Sequence, residues 1–406
     1  MRNKMRFLCA LWVVSASSFG QSLQDYIQIA EENHPQIQAI LLANDIAKEK
    51  VNQSRSLANT ELSLGYFISE PETRTGPQQS RVAIGQMIPW FGTLSARETY
   101  AKSLAENAFI ELSIAKRKLS LSVAQSYYEL YRLNKSLDLV LQILDWLELR
   151  RAQLLGSLSA GESALSELLE LDIFENTLKQ RKGSLTFGLK AAQQKFSNLV
   201  GQALDDLVEL PTDLSIAEVI LPETPDFTKH PELLLYDGLF ESVEDLERLN
   251  QKERLPGIVF GVDYLSVAPR TDLAVTDNGK DILMPRVNLS IPVFGKKYES
   301  KTKQNKIELS RIKAEQAFRL NLIEDRYFET MAKFKEAQLT IELLDDSLER
   351  LGQTEELLLS GYVAGDFDFQ KLIQLKENEL NLQLQQVAAV VAYYNQLSVI
   401  NYLINP

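Results

Sequence analysis

Leu158-Ser159-Ala160-Gly161 ends a segment of the chain that recurs 204 residues later as Tyr362-Val363-Ala364-Gly365. Working back from each glycine, residues 119–161 align with residues 323–365 without a gap, and apolar residues fall on apolar residues. A repeat of this length determines the architecture before any single motif does. Each copy predicts two strands, a very long helix, a tight turn and another long helix, an order that suits a tube better than a soluble enzyme.

The chain divides into a leader, two structural repeats and a linker. We place a signal peptide at 1–20, the first repeat at 21–210, a proline-containing linker at 211–228 and the second repeat at 229–406. Within the repeats we predict strands at 61–69, 81–90, 257–267 and 283–294, and helical hairpins with tips near 156–166 and 360–368. Each repeat therefore predicts an opening helix, two strands and a hairpin of helices.

The predicted strands have one apolar face. In the last strand the apolar residues Val287, Leu289, Ile291 and Val293 alternate with Asn288, Ser290 and Pro292. Alternation with a period of two indicates a strand whose two faces differ. The lengths match the ~9 to 11 residues of a tilted transmembrane strand. A small soluble four-stranded sheet packed on helices explains the same pattern, so periodicity alone leaves both interpretations open.

The first twenty residues have the pattern of a secretory signal peptide. Arg2, Lys4 and Arg6 precede the apolar run 7–14, and small residues follow it. Cys9, the only cysteine, lies inside the apolar run and not at its end behind small residues, so we expect no N-terminal lipid anchor. The mature chain would then lack cysteine, which excludes disulfides, thiol catalysis and cysteine metal sites.

The charge balance restricts the partners of the chain. Its 43 Lys and Arg residues stand against 55 Asp and Glu residues, and loss of the leader's cations would lower the net charge from -12 to about -15. Such a chain repels nucleic acid, so we expect no nucleic-acid partner. No stretch of the mature chain approaches the ~20 apolar residues of a membrane-spanning helix, so strands would have to cross any membrane.

The second strand of each repeat ends in the same pattern, Pro89-Trp90-Phe91-Gly92 and Pro292-Val293-Phe294-Gly295. Proline removes a ladder hydrogen bond and glycine relaxes backbone sterics, so Pro89, Gly92, Pro292 and Gly295 can end strand pairing and redirect the chain. About 65 residues of helical pattern follow each exit, which is roughly 100 Å of helix. The second of these helices carries apolar residues at a 3-4 spacing from 320 to 351, the pattern of coiled-coil packing.

In their order along the chain, these features resemble the TolC-type outer-membrane channel proteins of efflux pumps and type I secretion systems. The resemblance covers the mature chain and depends on the tandem repeat, the paired strands, the two Pro-x-Phe-Gly exits and the two Ala-Gly turns. It implies an α+β membrane protein, a homotrimer in which each protomer donates four strands to one 12-stranded outer-membrane β-barrel. A long periplasmic α-helical coiled-coil barrel continues it. Four strands cannot close a useful pore alone, and closure by three chains leaves no sheet edge exposed.

The resemblance implies passive export and no catalysis. Its expected partners are a periplasmic adaptor (membrane fusion) protein, an inner-membrane transporter and outer-membrane lipid. The sequence contains no phosphate-binding loop, nucleophile elbow or His-Glu-x-x-His pattern, and we expect no enzyme activity, no cofactor and no metal site. The cargo, whether drug, metal ion or polypeptide, is not encoded in these features.

The hairpin tips are the expected moving parts, because in this family the inner helices close the periplasmic end and open when the pump assembles. The resemblance places adaptor docking at four residues of the turns, Ala160, Gly161, Ala364 and Gly365. Some members close this end with an acid in the first repeat that faces a tyrosine before the second turn. Counting from the turn glycines puts Glu167 and Tyr362 at those positions, although ordinary helix-surface and heptad roles explain the same two residues equally well.

The aperture beyond the second turn departs from the family pattern. Family channels often narrow at rings of aspartate six and nine residues past the second turn glycine. This chain has Lys371 and Gln374 there, and its nearest acids are Asp366 and Asp368. We therefore assign the aperture lining to these four residues, but the cation selectivity of an acid ring does not carry over.

Two other classes of protein compete with the channel interpretation. A periplasmic coiled-coil protein, adaptor-like or acting as an envelope spacer, would place the strands in a soluble domain. A secreted enzyme or lectin would need a polar site, which the sequence does not present. Membrane fractionation and heat-modifiable migration separate a channel from a spacer.

Overall fold

A computed structural model describes residues 22–160, 165–202, 208–216, 219–222, 225–364 and 369–405 of the protein. These residues form two compact units. The first unit contains the described residues of Met1–His34, Ser122–Ala217 and Ala337–Asn395, and the second contains those of Pro35–Leu121, Glu218–Glu336 and Gln396–Pro406. The predicted signal peptide at 1–20 lies outside the described residues.

Seven α-helices lie in the described part of the chain. They are α1 (Leu23–Asn33), α2 (Pro35–Ser54), α3 (Thr93–Ala160), α4 (Leu165–Val200), α5 (Pro231–Glu253), α6 (Lys296–Ala364) and α7 (Phe369–Ile404). The two longest, α3 and α6, have 68 and 69 residues, and each precedes a helix of 36 residues. In both halves of the chain a very long helix is thus followed by a shorter one.

Two His-Pro pairs stand at helix starts. Pro35 is the first residue of α2, and Pro231 is the first residue of α5. His230 caps α5, because its Nδ1 atom accepts a hydrogen bond from the Glu232 amide at 3.2 Å. A proline at the first helical position has no amide hydrogen to leave unsatisfied, which explains why the helices begin there.

One antiparallel sheet contains β1 (Glu61–Tyr66), β2 (Glu72–Thr73), β3 (Gly76–Ile88), β4 (Gly257–Val267) and β5 (Ile282–Ser290). The strand order is β1-β3-β4-β5, and the two-residue β2 pairs with β3. The central strands β3 and β4 come from opposite halves of the sequence, and they pair from Gln78 opposite Val267 to Ile88 opposite Ile258. All of these strands belong to the second unit, so both halves of the sequence contribute to its sheet.

Three predicted strands have different bounds in the structure. The strand predicted at 81–90 extends from Gly76 to Ile88, because Pro89 has no amide hydrogen for the ladder. The strands predicted at 61–69 and 283–294 end earlier, at Tyr66 and Ser290, and Pro292 is the second residue after β5. The strand predicted at 257–267 has these bounds in the structure, and the short β2 was not predicted.

In the first unit, three aromatic rings from three helices form a core cluster. Tyr26 of α1 packs edge-on against Phe196 of α4, with 5.1 Å between ring centroids, and Tyr127 of α3 lies 6.2 Å from Phe196. Gly201, just after α4, has a φ of +77°, and a Cβ atom there would lie 2.7 Å from the Asn33 carbonyl carbon at the end of α1. Only glycine allows the ends of α1 and α4 to approach so closely.

Tyrosine hydroxyls hold residues 208–216 of the first unit in place. The Glu209 amide donates to Tyr26 Oη at 3.2 Å, and Tyr127 Oη donates to the Glu209 carbonyl at 3.3 Å. Farther along, the Leu214 amide donates to Tyr131 Oη at 3.3 Å. Residues 208–216 form neither helix nor strand, so these phenols satisfy backbone groups that would otherwise need water or a ladder.

The heptad stripe predicted in the second long helix is the buried face of α6. Seven residues at alternating spacings of four and three are at most 8% exposed: Ile323, Tyr327, Thr330, Phe334, Ala337, Ile341 and Leu344. Phe328 and Leu339, which lie off this stripe, are more than half exposed. The spacing is that of a coiled-coil seam.

In the second unit, buried and half-buried polar contacts fix α5 on the long helices. Glu247 of α5 accepts hydrogen bonds from Thr302 Oγ1 and Asn305 Nδ2 of α6, both at 2.7 Å. Asn107 of α3 donates to Ser242 Oγ of α5 at 2.7 Å. Buried polar groups tolerate few alternative arrangements, because a lost partner leaves them unsatisfied, so these contacts specify how α5 packs.

Glu232, in the first turn of α5, is the centre of a buried charge cluster. Its carboxylate accepts hydrogen bonds from Lys118 Nζ at 2.9 Å and Tyr402 Oη at 2.7 Å, and it also pairs with Arg319. Burial raises the pKa of Glu232, but the hydrogen bonds from Lys118 and Tyr402 lower it by more, and the pKa falls to about 2. The cluster ties α5 to the parts of α3, α6 and α7 that belong to the second unit.

One described helix, Gln370–Ile404, is by length and composition long and apolar enough to cross a membrane, with a mean hydropathy of 1.3 over its most apolar stretch. The sequence prediction that no segment would do so missed this helix. Of that stretch 44% is buried inside the structure, and Val391, Val399 and Ile400 of this helix are core residues. Core helices have the same composition, so the hydropathy of this helix is explained by packing.

Candidate functional site: the two faces of the sheet and the hairpin ends

One face of the sheet is apolar and exposed. Eleven aliphatic or aromatic residues on alternate positions of β1, β3, β4 and β5 are 39 to 74% exposed: Leu62, Leu64, Tyr66, Val82, Ile84, Phe260, Val262, Tyr264, Leu283, Val287 and Leu289. The register places Leu64, Val82 and Tyr264 side by side across three strands. We call these eleven residues the apolar face. A contiguous exposed apolar surface marks contact with an apolar environment.

The opposite face carries a buried charge cluster. Asp263 of β4 is fully buried, and its carboxylate lies 2.5 Å from Arg81 Nη2 of β3 and 3.3 Å from Arg286 Nε of β5. The Arg286 side chain lies over Gly261 and Gly85, and a Cβ atom at Gly261 would lie 3.1 Å from Arg286 Nε. Since a buried carboxylate requires cationic partners, these residues bind three strands together. The sheet is thus apolar on one face and mixed on the other, where it holds a buried charge cluster.

The two strand exits lie where the sequence places them, but their glycines differ. Pro89 and Gly92 lie between β3 and α3, and Pro292 and Gly295 lie between β5 and α6. Gly92 has a φ of +81°, a conformation that favours glycine. A Cβ atom at Gly295 would make only ordinary contacts, the nearest at 3.7 Å. The backbone therefore requires glycine at the first exit and not at the second.

Two of the four predicted docking residues lie at the ends of the long helices. Ala160 is the last residue of α3, and Ala364 is the last residue of α6. Four predicted tip residues lie outside the described residues: Gly161, Gly365, Asp366 and Asp368. The helix ends that flank both turns are therefore placed, and the turns themselves stay predictions.

The latch and aperture residues are placed in part. Glu167 lies half-buried in the first turn of α4, and Tyr362 belongs to α6, but the tyrosine side chain lies outside the described part of the structure. The hydrogen bond between them stays a prediction. Lys371 and Gln374 are exposed residues of α7 and, being three residues apart, lie on one side of the helix.

A buried lysine joins α6 and α7 near the second turn. Lys376 Nζ of α7 lies 2.6 Å from Glu355 Oε1 of α6 and 2.7 Å from Glu379 Oε2 of α7. Its ammonium group also lies 5.8 Å from the ring centroid of Trp146 in α3. Burial lowers the pKa of Lys376, but the hydrogen bonds to both glutamates outweigh burial and raise the pKa above its ordinary value. Lys376 therefore stays positively charged at neutral pH and connects three helices.

A corresponding contact with exchanged charges joins α3 and α4. Arg151 of α3 pairs with Asp172 and Glu175 of α4. Adding the repeat offset of 204 to these three positions gives the three residues of the contact around Lys376. The cation lies on the long helix in the first half and on the shorter helix in the second. We call these two contacts the hairpin clamps.

Sequence reasoning missed both the clamps and the partners of Asp263. The clamps had a signal, because Arg151 and Glu355 occupy the same position of the aligned repeats with opposite charge. Asp263 stood out as a polar residue in an alternating strand, but Arg81 is 182 residues away in the sequence. Only the pairing of β3 with β4 brings the two side chains together.

No protein-family model matches this sequence, and no curated protein is significantly similar to it. Solved structures match over nearly the whole chain. CusC, studied for folding and transmembrane channel formation, is 14% identical with a TM-score of 0.76, covering 95% of this chain and 92% of CusC. The outer-membrane protein VceC of Vibrio cholerae is 16% identical with a TM-score of 0.71, covering 94% of this chain and 95% of VceC. The open outer-membrane channel MtrE of Neisseria gonorrhoeae is 12% identical with a TM-score of 0.73, covering 94% of this chain and 88% of MtrE.

These similarities define the fold class, a long-helix protein with a small open sheet as found in outer-membrane channels. More narrowly, the chain has the fold of the TolC-type outer-membrane channel proteins, which confirms the resemblance seen in the sequence.

Proposed function

We propose that the protein is the outer-membrane channel of a tripartite efflux pump or type I secretion system, through which substrate passes passively to the exterior. The apolar face of the sheet carries this proposal. Aliphatic and aromatic side chains exposed along four strands favour lipid over water. Their alternation with a mixed face that holds a charge cluster fits the strand pattern of an outer-membrane barrel. The fold shared with solved outer-membrane channels supports the same function.

Three copies would complete the sheet as a barrel. Among the described strands, β1 and β5 are the two ends of the order β1-β3-β4-β5, and each has a single neighbour on that path. Open strand edges pair readily with another chain. Four strands from each of three copies give twelve, enough for a closed barrel around a lumen. The helices α3, α4, α6 and α7 would continue this barrel as a periplasmic tunnel.

The two faces of the sheet would then have separate environments. The apolar face would meet lipid, and Arg81, Asp263 and Arg286 would line the lumen. Phe91 and Phe294, at the strand exits, are 81% and 89% exposed. Outer-membrane barrels carry girdles of aromatic residues at the membrane boundary, and these two side chains suit that place.

The hairpin ends would form the periplasmic tip. A periplasmic adaptor protein, itself linked to an inner-membrane transporter, would dock around Ala160, Gly161, Ala364 and Gly365. Glu167 and Tyr362 would hold the tip closed, with Asp366, Asp368, Lys371 and Gln374 lining the aperture. The hairpin clamps would keep the helices of each hairpin together while the tip opens, because each clamp joins the long helix to the shorter one.

Lysine substitutions on the two faces of the sheet test the proposal. Ile84 lies on the apolar face and is half exposed. A lysine facing lipid costs about 2–4 kcal/mol at the middle of the membrane and less near its boundaries. We expect Ile84→Lys to reduce the amount of protein in the outer-membrane fraction and the yield of its heat-resistant oligomer.

Ser63→Lys is the matched control. Ser63 lies in β1 between Leu62 and Leu64 of the apolar face, so its side chain points to the opposite face, and it pairs with Ala83. We expect normal insertion of this variant. Equal losses from the two variants, or an unaltered protein that fractionates as soluble periplasmic material, would contradict the proposal.

A further inference from the structure

The helix end of the sheet is basic, although the whole chain has a net charge of -12. Residues 89–103, 250–256 and 291–303, which surround the strand exits, contain eight Lys and Arg residues and only three Glu residues. We call the eight cations the basic belt: Arg97, Lys102, Lys252, Arg254, Lys296, Lys297, Lys301 and Lys303. A local charge opposite to that of the whole molecule indicates an anionic partner at this place.

Folding brings belt residues from separate parts of the chain to the strand exits. A Cβ atom at Gly92 would lie 3.6 Å from Lys252 Nζ, and one at Gly295 would lie 3.7 Å from Arg254 Nη2. Lys296 directly follows Gly295 and is exposed. Cations from the end of α5 and from the start of α6 therefore lie together beside the exits of β3 and β5.

Carboxylates neutralise only part of the basic belt. Arg97 pairs with Glu253 at 3.0 Å, and Lys102 pairs with Glu98 at 2.6 Å. Six belt residues form no ion pair with a described carboxylate: Lys252, Arg254, Lys296, Lys297, Lys301 and Lys303. These six charges are available to groups outside the chain.

The loop end of the sheet has the opposite charge balance. Residues 67–75 and 268–281, which connect the strands there, contain five acidic and three basic residues. Two of the three cations, Arg270 and Lys280, pair with Asp272 and Asp277 of the same loop. The apolar face thus lies between a basic end and an acidic end, so that only its helix end complements an anionic membrane boundary.

We propose that the basic belt binds the anionic headgroups of phospholipids in the membrane leaflet nearest the helices. This inference rests on the proposed function, because the apolar face must lie in the membrane for the belt to meet the headgroups. Exposed Phe91 and Phe294 suit the same boundary, and lysine side chains can extend along apolar surface while their ammonium groups reach phosphate. Each lysine near an anionic membrane surface strengthens binding about fivefold.

Lipid retention by the purified, detergent-solubilised full chain tests this inference. Native mass spectrometry compares bound phosphatidylglycerol with phosphatidylcholine of the same acyl chains. We expect at least about a tenfold preference for phosphatidylglycerol, which weakens as salt is added. The triple variant Lys252→Gln, Lys296→Gln, Lys297→Gln is expected to lose most of this preference.

A second triple variant controls for total charge. Lys182, Lys190 and Lys195 are exposed residues of α4 in the other unit, and changing all three to Gln removes the same charge. We expect this variant to keep its lipid preference. Equal loss from the two triple variants would overturn the inference.

The unaltered protein provides a second test, which needs no substituted variant. Equal retention of both lipids would overturn the inference, and so would displacement of the bound lipid by millimolar inorganic phosphate, which would indicate a site for a free anion. In both cases a detergent-stable oligomer that forms channels would leave the proposed function standing. A chain that inserts into vesicles of neither lipid would contradict the proposed function itself.

Discussion

Replacing Lys376 by methionine should loosen the second hairpin, because Glu355 and Glu379 would then face each other without their shared cation. Removing one partner of a buried ion pair costs about 3–5 kcal/mol, whereas exposed pairs contribute about 0.2–1 kcal/mol. The three side chains of this clamp are 10%, 23% and 20% exposed. We therefore expect a loss of about 1–3 kcal/mol, between the two limits.

Hydrogen exchange measured by mass spectrometry reports this loss locally, since the free energy of local opening sets the protection of helix amides. A loss of about 1–3 kcal/mol accelerates exchange of amides near 370–380 by about 5- to 150-fold. Arg151→Met is the matched change in the first clamp. Its side chain is 35% exposed, so we expect less than about 1 kcal/mol and less than about fivefold faster exchange there.

A charge exchange completes the test. Glu355→Arg combined with Lys376→Asp rebuilds in the second hairpin the charge arrangement of the first, with Glu379 corresponding to Glu175. We expect the double variant to exchange more slowly than Lys376→Asp alone. An unchanged hydrogen-exchange rate in Lys376→Met, or no slowing of exchange in the double variant, would show that the clamp does not stabilise the hairpin.

Gly92→Ala should lower the apparent melting temperature, because an L-residue at a φ of +81° costs about 1–2 kcal/mol. Gly295→Ala, where a Cβ atom makes only ordinary contacts, should leave the melting temperature unchanged. Equal shifts in the two variants would contradict a backbone requirement for glycine at position 92. The lowered pKa of Glu232 stabilises the fold by about 3 kcal/mol at pH 7, fully present above about pH 4.5 and lost as the pH falls toward 2. Acid unfolding should therefore be steeper for the unaltered protein than for Glu232→Gln, and superimposable curves would exclude this role. In planar bilayers, Tyr362→Phe should raise conductance by breaking the latch, and Lys371→Asp should increase cation preference. Unchanged conductance would show that Tyr362 does not hold the tip closed, and unchanged ion preference would show that Lys371 does not line the aperture.

Local periodicity made much of the fold predictable. The apolar stripe of α6 has the predicted residues on its buried face, because a repeat of seven specifies a helix seam without knowledge of its partner. The strand bounds were less accurate, since β3 begins at Gly76, before the alternating residues that revealed it. The strand exits could be predicted from proline and glycine, because these residues limit strand pairing through their own backbone, whatever lies next to them in the fold.

Contacts between distant parts of the chain were not predictable from these patterns. Asp263 finds Arg81 only because β3 pairs with β4 in one particular register. The sequence alone would place Lys376 on the exposed surface of an apolar helix, but in the structure its side chain is buried beside Trp146. The cost of burying such a charge is offset by partners that the fold supplies, and sequence spacing does not reveal them.

The mass of the detergent-solubilised complex extracted from the outer membrane shows how many chains form the channel. Size-exclusion chromatography with multi-angle light scattering separates the protein mass from the detergent mass. The apolar face and the two open sheet edges predict three mature chains in each complex. A single chain that stays soluble without detergent, or a complex of two or four chains, would contradict a trimeric channel.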